Sequence, residues 1–238
     1  LYVFAGVALL IGLLTLVFIE GMHVLAASGI AIGVWLLLGA FAEIVQRSGW
    51  PKAAPSVAAA RLRGLPRSVW GTALAHAGLG VCVLGIVSVS SFQQEEVLRM
   101  KPGSITEFAD YTITMKGFEE RQGPNFVEDI ASFEVYRDSD FVTTITPSKR
   151  IYTARRMPTT ESGIYTTVFS QLYLALGDPV EGTDEIVVRL WWKPQVTLIW
   201  LGPVLMVIGG LFSLSDRRLR VGAPKPSAKR RQTLAAAE

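Results

Sequence analysis

Four apolar stretches, each nearly free of charge, constrain this chain more than any other feature: residues 1–19, 23–45, 70–92 and 196–214. Each is about twenty residues long, and a helix rising about 1.5 Å per residue over that length crosses the roughly 30 Å hydrocarbon core of a bilayer. A single segment crosses lipid as a helix, because there every backbone N–H and C=O is satisfied within the segment. The sequence therefore predicts an integral membrane protein with four transmembrane α-helices. The chain begins at Leu1 inside an apolar run with no basic segment before it. That start reads as part of a longer protein, not as a signal peptide.

Charge sets the expected orientation. The segment between the second and third spans carries Arg47, Lys52, Arg61, Arg63 and Arg67 with no acid. The tail after the fourth carries Arg217, Arg218, Arg220, Lys225, Lys229, Arg230 and Arg231 against Asp216 and Glu238. Such clusters beside span ends stay cytoplasmic, and the tail suits anionic lipid headgroups better than nucleic acid. Residues 91–193 instead hold sixteen acids and eleven bases, which places them outside. The expected order is two spans within 1–47, a basic cytoplasmic loop at 48–69, a span at 70–92, a periplasmic domain at 93–193, a last span at 194–215 and a cytoplasmic tail at 216–238. A short surface helix is expected around 56–62.

The outer domain reads as antiparallel β-sheet with one wet face, in a small sandwich or barrel. Tyr111, Ile113 and Met115 alternate with polar residues, as do Ala131, Phe133 and Val135, the period of a half-buried strand. Arg137-Asp138-Ser139-Asp140 reads as a hairpin turn into 141–146. Leu172, Leu174 and Leu176 alternate again before Gly177-Asp178-Pro179, and 186–192 reads as the last strand.

Few residues point to chemistry. His76 lies well inside the third span, where an ionisable side chain usually faces a partner, a cavity or a cofactor. Two readings are open: an axial ligand to haem iron, or an imidazole bonded to a carbonyl of a neighbouring span. Ala73, Ala77, Gly78 and Gly80 would let a flat macrocycle or another helix come close. His23, beside Glu20, reads as a boundary residue, and Glu43 as the partner of Arg47 one helical turn on. Cys82, the single cysteine, reads as a small packing residue. With no CxxC and no CxxCH, the chain carries neither a redox pair nor a c-type haem attachment site. Lys149, Arg150, Arg155 and Arg156 form a basic cluster that can take carboxylates such as haem propionates, or pair with the domain's own acids. The sequence presents no catalytic triad, metal-spaced cluster or phosphate loop.

Three stretches carry a resemblance. They are Trp70-Gly71-Thr72-Ala73-Leu74-Ala75-His76-Ala77-Gly78; Pro147-Ser148-Lys149-Arg150-Ile151-Tyr152 on through Arg155-Arg156-Met157-Pro158 to Glu161; and Trp192-Lys193-Pro194 with Trp200, Gly209-Gly210 and Ser215-Asp216-Arg217-Arg218. With the order span, outer domain, span and basic tail, the chain resembles the C-terminal part of the CcmF/NrfE family of cytochrome c-type biogenesis proteins, the membrane subunit of the haem lyase. The resemblance implies a multi-pass protein of the bacterial cytoplasmic membrane that helps attach haem covalently to apocytochrome c. It implies a b-type haem held between two intramembrane histidines, of which His76 is one. It also implies a haem chaperone, apocytochrome c and other maturation subunits as partners, with Arg155 and Arg156 as contacts for propionates or for a partner. The family's second ligand, its tryptophan-rich segment and its outer histidines are expected before Leu1, so this stretch alone is not expected to be an active lyase. A non-catalytic module docking apocytochrome or other subunits is the alternative, with a haem or solute transporter behind it.

Overall fold

The computed structural model describes residues 2–154 and 157–216. They fall into two compact units, one comprising 2–20, 27–83 and 201–216, the other 21–26 and 84–200.

Among the described residues, five helices form along the apolar runs and the loop between them: α1 Tyr2–Phe18, α2 Val24–Ser48, α3 Pro55–Arg63, α4 Arg67–Phe92 and α5 Val196–Leu214. Helices α2, α4 and α5 are long and apolar enough to cross a membrane. Helix α1 is as apolar, and its 17 described residues make it shorter than these three. The α3 helix confirms the surface helix read from the loop. Proline at its first position, whose missing N–H would have no partner there, starts it.

Small residues let these helices touch backbone to backbone. In the first unit, a Cβ added to Gly71 would lie 2.4 Å from the Gly209 carbonyl oxygen, and one added to Gly209 would lie 2.5 Å from that of Gly71. Two helical turns along, Gly78 and Gly202 stand in the same reciprocal relation at 2.6 Å each way. Helix α4 meets α2 similarly, with Gly80 against the Gly33 oxygen at 2.8 Å. In lipid, where burial of apolar surface drives little, such close packing is what holds helices together. Cys82 belongs to this seam, since a Cβ at Gly202 would fall 2.5 Å from its own. The packing role expected for it holds.

The second unit contains two antiparallel sheets. One has the order β1-β10-β9-β8, built from Gln94–Met100, Ile186–Pro194, Ser170–Pro179 and Gly163–Thr166. The other runs β2-β3-β4-β6-β7, from Ile105–Phe108, Tyr111–Gln122, Phe126–Arg137, Ser148–Tyr152 and Pro158–Glu161, with β5 (Asp140–Ile145) also paired to β4. The alternating residues fill the core: Ile113, Met115, Phe133, Val135, Leu174 and Leu190 are fully buried. The β4–β5 hairpin turns where the sequence predicts. Asp138 (φ 50°) and Ser139 (φ 70°) take the left-handed conformations of a tight hairpin turn.

Candidate functional site

Helix α4 presents His76 on a face that the other described helices leave open, so the side chain is exposed. It lines a groove of about 280 Å³ with Trp35, Leu36, Gly39, Ala40, Ala42, Glu43 and Gln46 of α2. The lining mixes small residues with the larger Trp35 and Leu36, and its polar members Glu43 and Gln46 lie toward the Arg47 end of α2. There Arg47 Nη2 lies 3.0 Å from Glu43 Oε1, the pair expected from the i,i+4 spacing. Among the described residues, His76 makes no hydrogen bond or ion pair. No carbonyl among the described residues accepts from the imidazole, and both readings of His76 stay open at this point.

A haem fits this geometry in part. An imidazole unbonded among the described residues, with Gly39, Ala40 and Ala42 among the lining of the groove, suits the approach of a flat macrocycle. No cluster of three or more His, Cys, Asp and Glu that could hold a metal occurs among the described residues. His76 thus stands as a single donor, not as part of a complete site. His23 is exposed just before α2, in the other unit.

Two cations of the basic motif meet acids of the sandwich itself. Glu128 of β4 stands directly opposite Arg121 of β3 and Arg150 of β6 in the strand register. Its carboxylate is 1% exposed and accepts from Arg150 Nε at 2.7 Å, Arg121 Nε at 2.8 Å and Ser148 Oγ at 2.9 Å. The hydrogen bond from Arg150, aided by those from Arg121 and Ser148, lowers its pKa to about 2 against the burial that would raise it. The Arg150 guanidinium also covers the Phe126 ring at 4.6 Å. Lys149 pairs with Asp178. Two of the four cations in the motif are thus taken up by the domain's own acids, while Arg155 and Arg156 lie outside the described residues. Glu128 is the residue the sequence reading missed; it stands beside a second acid, Asp129, and nothing in the sequence singles it out.

Residues 91–194 match the family model described as the CcmF C-terminal β-sandwich. Over 229 residues, 96% of this chain, it is 49% identical to the cytochrome c-type biogenesis protein CycK of Rhizobium meliloti. This chain belongs to the CcmF family. The cytochrome c-type biogenesis protein CcmF of Pseudomonas aeruginosa is 37% identical over 80% of the chain. A solved structure titled cytochrome c heme lyase CcmF shares the fold at a TM-score of 0.64 and 16% identity, over 89% of this chain and 34% of that one. The CcmF-family chain spans about a third of the length of the curated relatives it matches, 34% of the Rhizobium protein and 28% of the Pseudomonas one.

Proposed function

We propose that this CcmF-family chain supplies spans and the outer domain of the membrane subunit of a cytochrome c haem lyase, with His76 as an axial ligand to haem b. In this reading α1, α2, α4 and α5 all cross the bacterial cytoplasmic membrane. The acid-free basic segment between α2 and α4 faces the cytoplasm, and the acid-rich sandwich faces the periplasm. The observation that carries the proposal is the imidazole of His76, unbonded among the described residues and exposed on a membrane helix in a groove that Gly39, Ala40 and Ala42 help to line. A charged or strongly polar side chain inside a span costs free energy unless something occupies it.

His76 would hold the iron from one side, and Gly39, Ala40 and Ala42 would leave room for the macrocycle. The Glu43–Arg47 pair would keep the groove's rim polar without placing a lone charge in lipid. The chemistry that such a group supplies is electron transfer at an iron whose potential its ligands and surroundings set. Haem, apocytochrome c, a haem chaperone and the other maturation subunits are the partners this reading requires. Arg155 and Arg156 are its proposed contacts for propionates or for a partner.

The test is the reduced-minus-oxidised absorption spectrum of the full-length protein, wild type against His76→Ala at equal membrane insertion. Loss of a b-type signal in the variant supports the assignment. An unchanged signal returns His76 to a packing role.

A further inference from the structure

The β8–β9 hairpin ends in a turn whose chemistry does not suit water. Its two central residues are Val168 and Phe169, 77% and 60% exposed, where tight turns ordinarily take Gly, Asn, Asp, Pro or Ser. The polar groups around them are bonded to one another. Thr167 N–H donates to the Ser170 carbonyl at 2.8 Å, and Ser170 N–H donates to Thr167 Oγ1 at 2.9 Å. The two hydroxyls lie 2.8 Å apart. The result is a closed apolar tip with few polar groups to hydrate.

Two further observations say where the tip sits. Thr197, in the first turn of α5, donates its hydroxyl to the Val168 carbonyl at 2.7 Å. The tip is therefore fixed beside the outer start of a helix apolar and long enough to cross a membrane. The chain around it is uncharged from 162 to 177, within a domain that otherwise carries many acids and bases. Ile164, also exposed, lies on the same hairpin.

We infer that the β8–β9 tip inserts Val168 and Phe169 into the outer leaflet of the bilayer beside α5, a second membrane contact made by the sandwich itself. Lipid is the occupant because the tip is tied to a span at its point of entry and presents two large apolar side chains there. Apolar side chains at that depth gain by leaving water. The inference rests on α5 crossing the membrane and is independent of whether His76 binds haem.

The experiment uses the full-length protein in phospholipid vesicles. Nitroxide labels are placed singly by Val168→Cys, Phe169→Cys and Ser139→Cys on a background with its other cysteines replaced. Ser139 lies on the β4–β5 turn and serves as the aqueous reference. The expected result is loss of accessibility to a water-soluble nickel reagent at 168 and 169, with high accessibility to oxygen, against the reverse at 139. Nickel accessibility at 168 and 169 equal to that at 139 would overturn the inference. Shielding from both reagents would also overturn it, in favour of a protein covering the tip. Should the labels perturb folding, a photoactivatable phosphatidylglycerol crosslinked to the unmodified protein probes the same contact. Adducts at residues 164–169 support insertion, and adducts confined to the spans count against it.

Discussion

The carboxylate of Asp216, just beyond α5, accepts hydrogen bonds from both the backbone N–H of Ser68 at 3.1 Å and its hydroxyl at 2.8 Å. Ser68 is the second residue of α4, so Asp216 caps the start of one span from the end of another. The first N–H groups of a helix have no partner within it, and a carboxylate there also meets the positive end of the helix dipole. Asp216→Ala should lower stability by about 1 kcal/mol, with Asp216→Asn losing less because it still accepts. Thermal unfolding of the detergent-solubilised full-length protein checks both. Equal stability of Asp216→Ala and wild type would show that the cap contributes nothing.

The reciprocal contact of Gly78 with Gly202 makes a sharper prediction. A side chain at either position meets backbone at 2.6 Å, which cannot move aside as a flexible side-chain end can. Gly78→Leu should therefore separate α4 from α5 and cost at least about 1–3 kcal/mol. Gly210→Leu, on the same helix as Gly202 but in open space, should be tolerated. A disulfide-trapping or unfolding assay that ranked the two variants alike would remove the glycine seam as the cause of the packing.

Glu128 gives the β-sandwich a defined acid sensitivity. Its folded-state pKa of about 2 lies below the ordinary 4.5, so the unfolded chain takes up a proton first as pH falls. The stabilisation is complete above about pH 4.5, declines as pH falls from there, and is gone once pH passes below about 2. Glu128→Gln should flatten the stability profile over that window. Glu128→Ala should cost about 3 kcal/mol at neutral pH, the low end for breaking a buried pair, because Arg121 keeps contact with water. Unfolding midpoints of wild type and both variants between pH 2 and 7 are the measurement.

What the sequence made legible follows from periodicity. The strands with a clear period of two and a buried face, at Tyr111–Gln122, Phe126–Arg137, Ser170–Pro179 and Ile186–Pro194, were visible because burial on one side imposes alternation. Strand β1, Gln94–Met100, was not, because it is an edge strand almost wholly exposed and nothing forces its residues to alternate. Strand β6, Ser148–Tyr152, was hidden by its own cations, which read equally as a site for carboxylates or as partners of the domain's own acids; the structure sets Glu128 opposite Arg150. Hydropathy located α2, α4 and α5 well. It could not say that His76 would make no hydrogen bond among the described residues, since that depends on which face of α4 meets α2.

The groove beside His76 allows the haem proposal to be tested without touching the histidine. Gly39 lines the groove, and a Cβ added there meets nothing within 4 Å. Leucine at that position should project into the space opposite the imidazole while leaving the α2–α4 contact at Gly33 and Gly80 undisturbed. If a flat macrocycle occupies this space, Gly39→Leu should lower haem content of the full-length protein several-fold with little change in membrane insertion. Gly210→Leu, equally open but remote from the groove's lining residues, should leave haem content unchanged. Pyridine haemochrome quantitation of the purified proteins reads both. Full haem content in Gly39→Leu would mean that nothing large binds against this wall, and His76 would then have to reach a haem, if any, from another side.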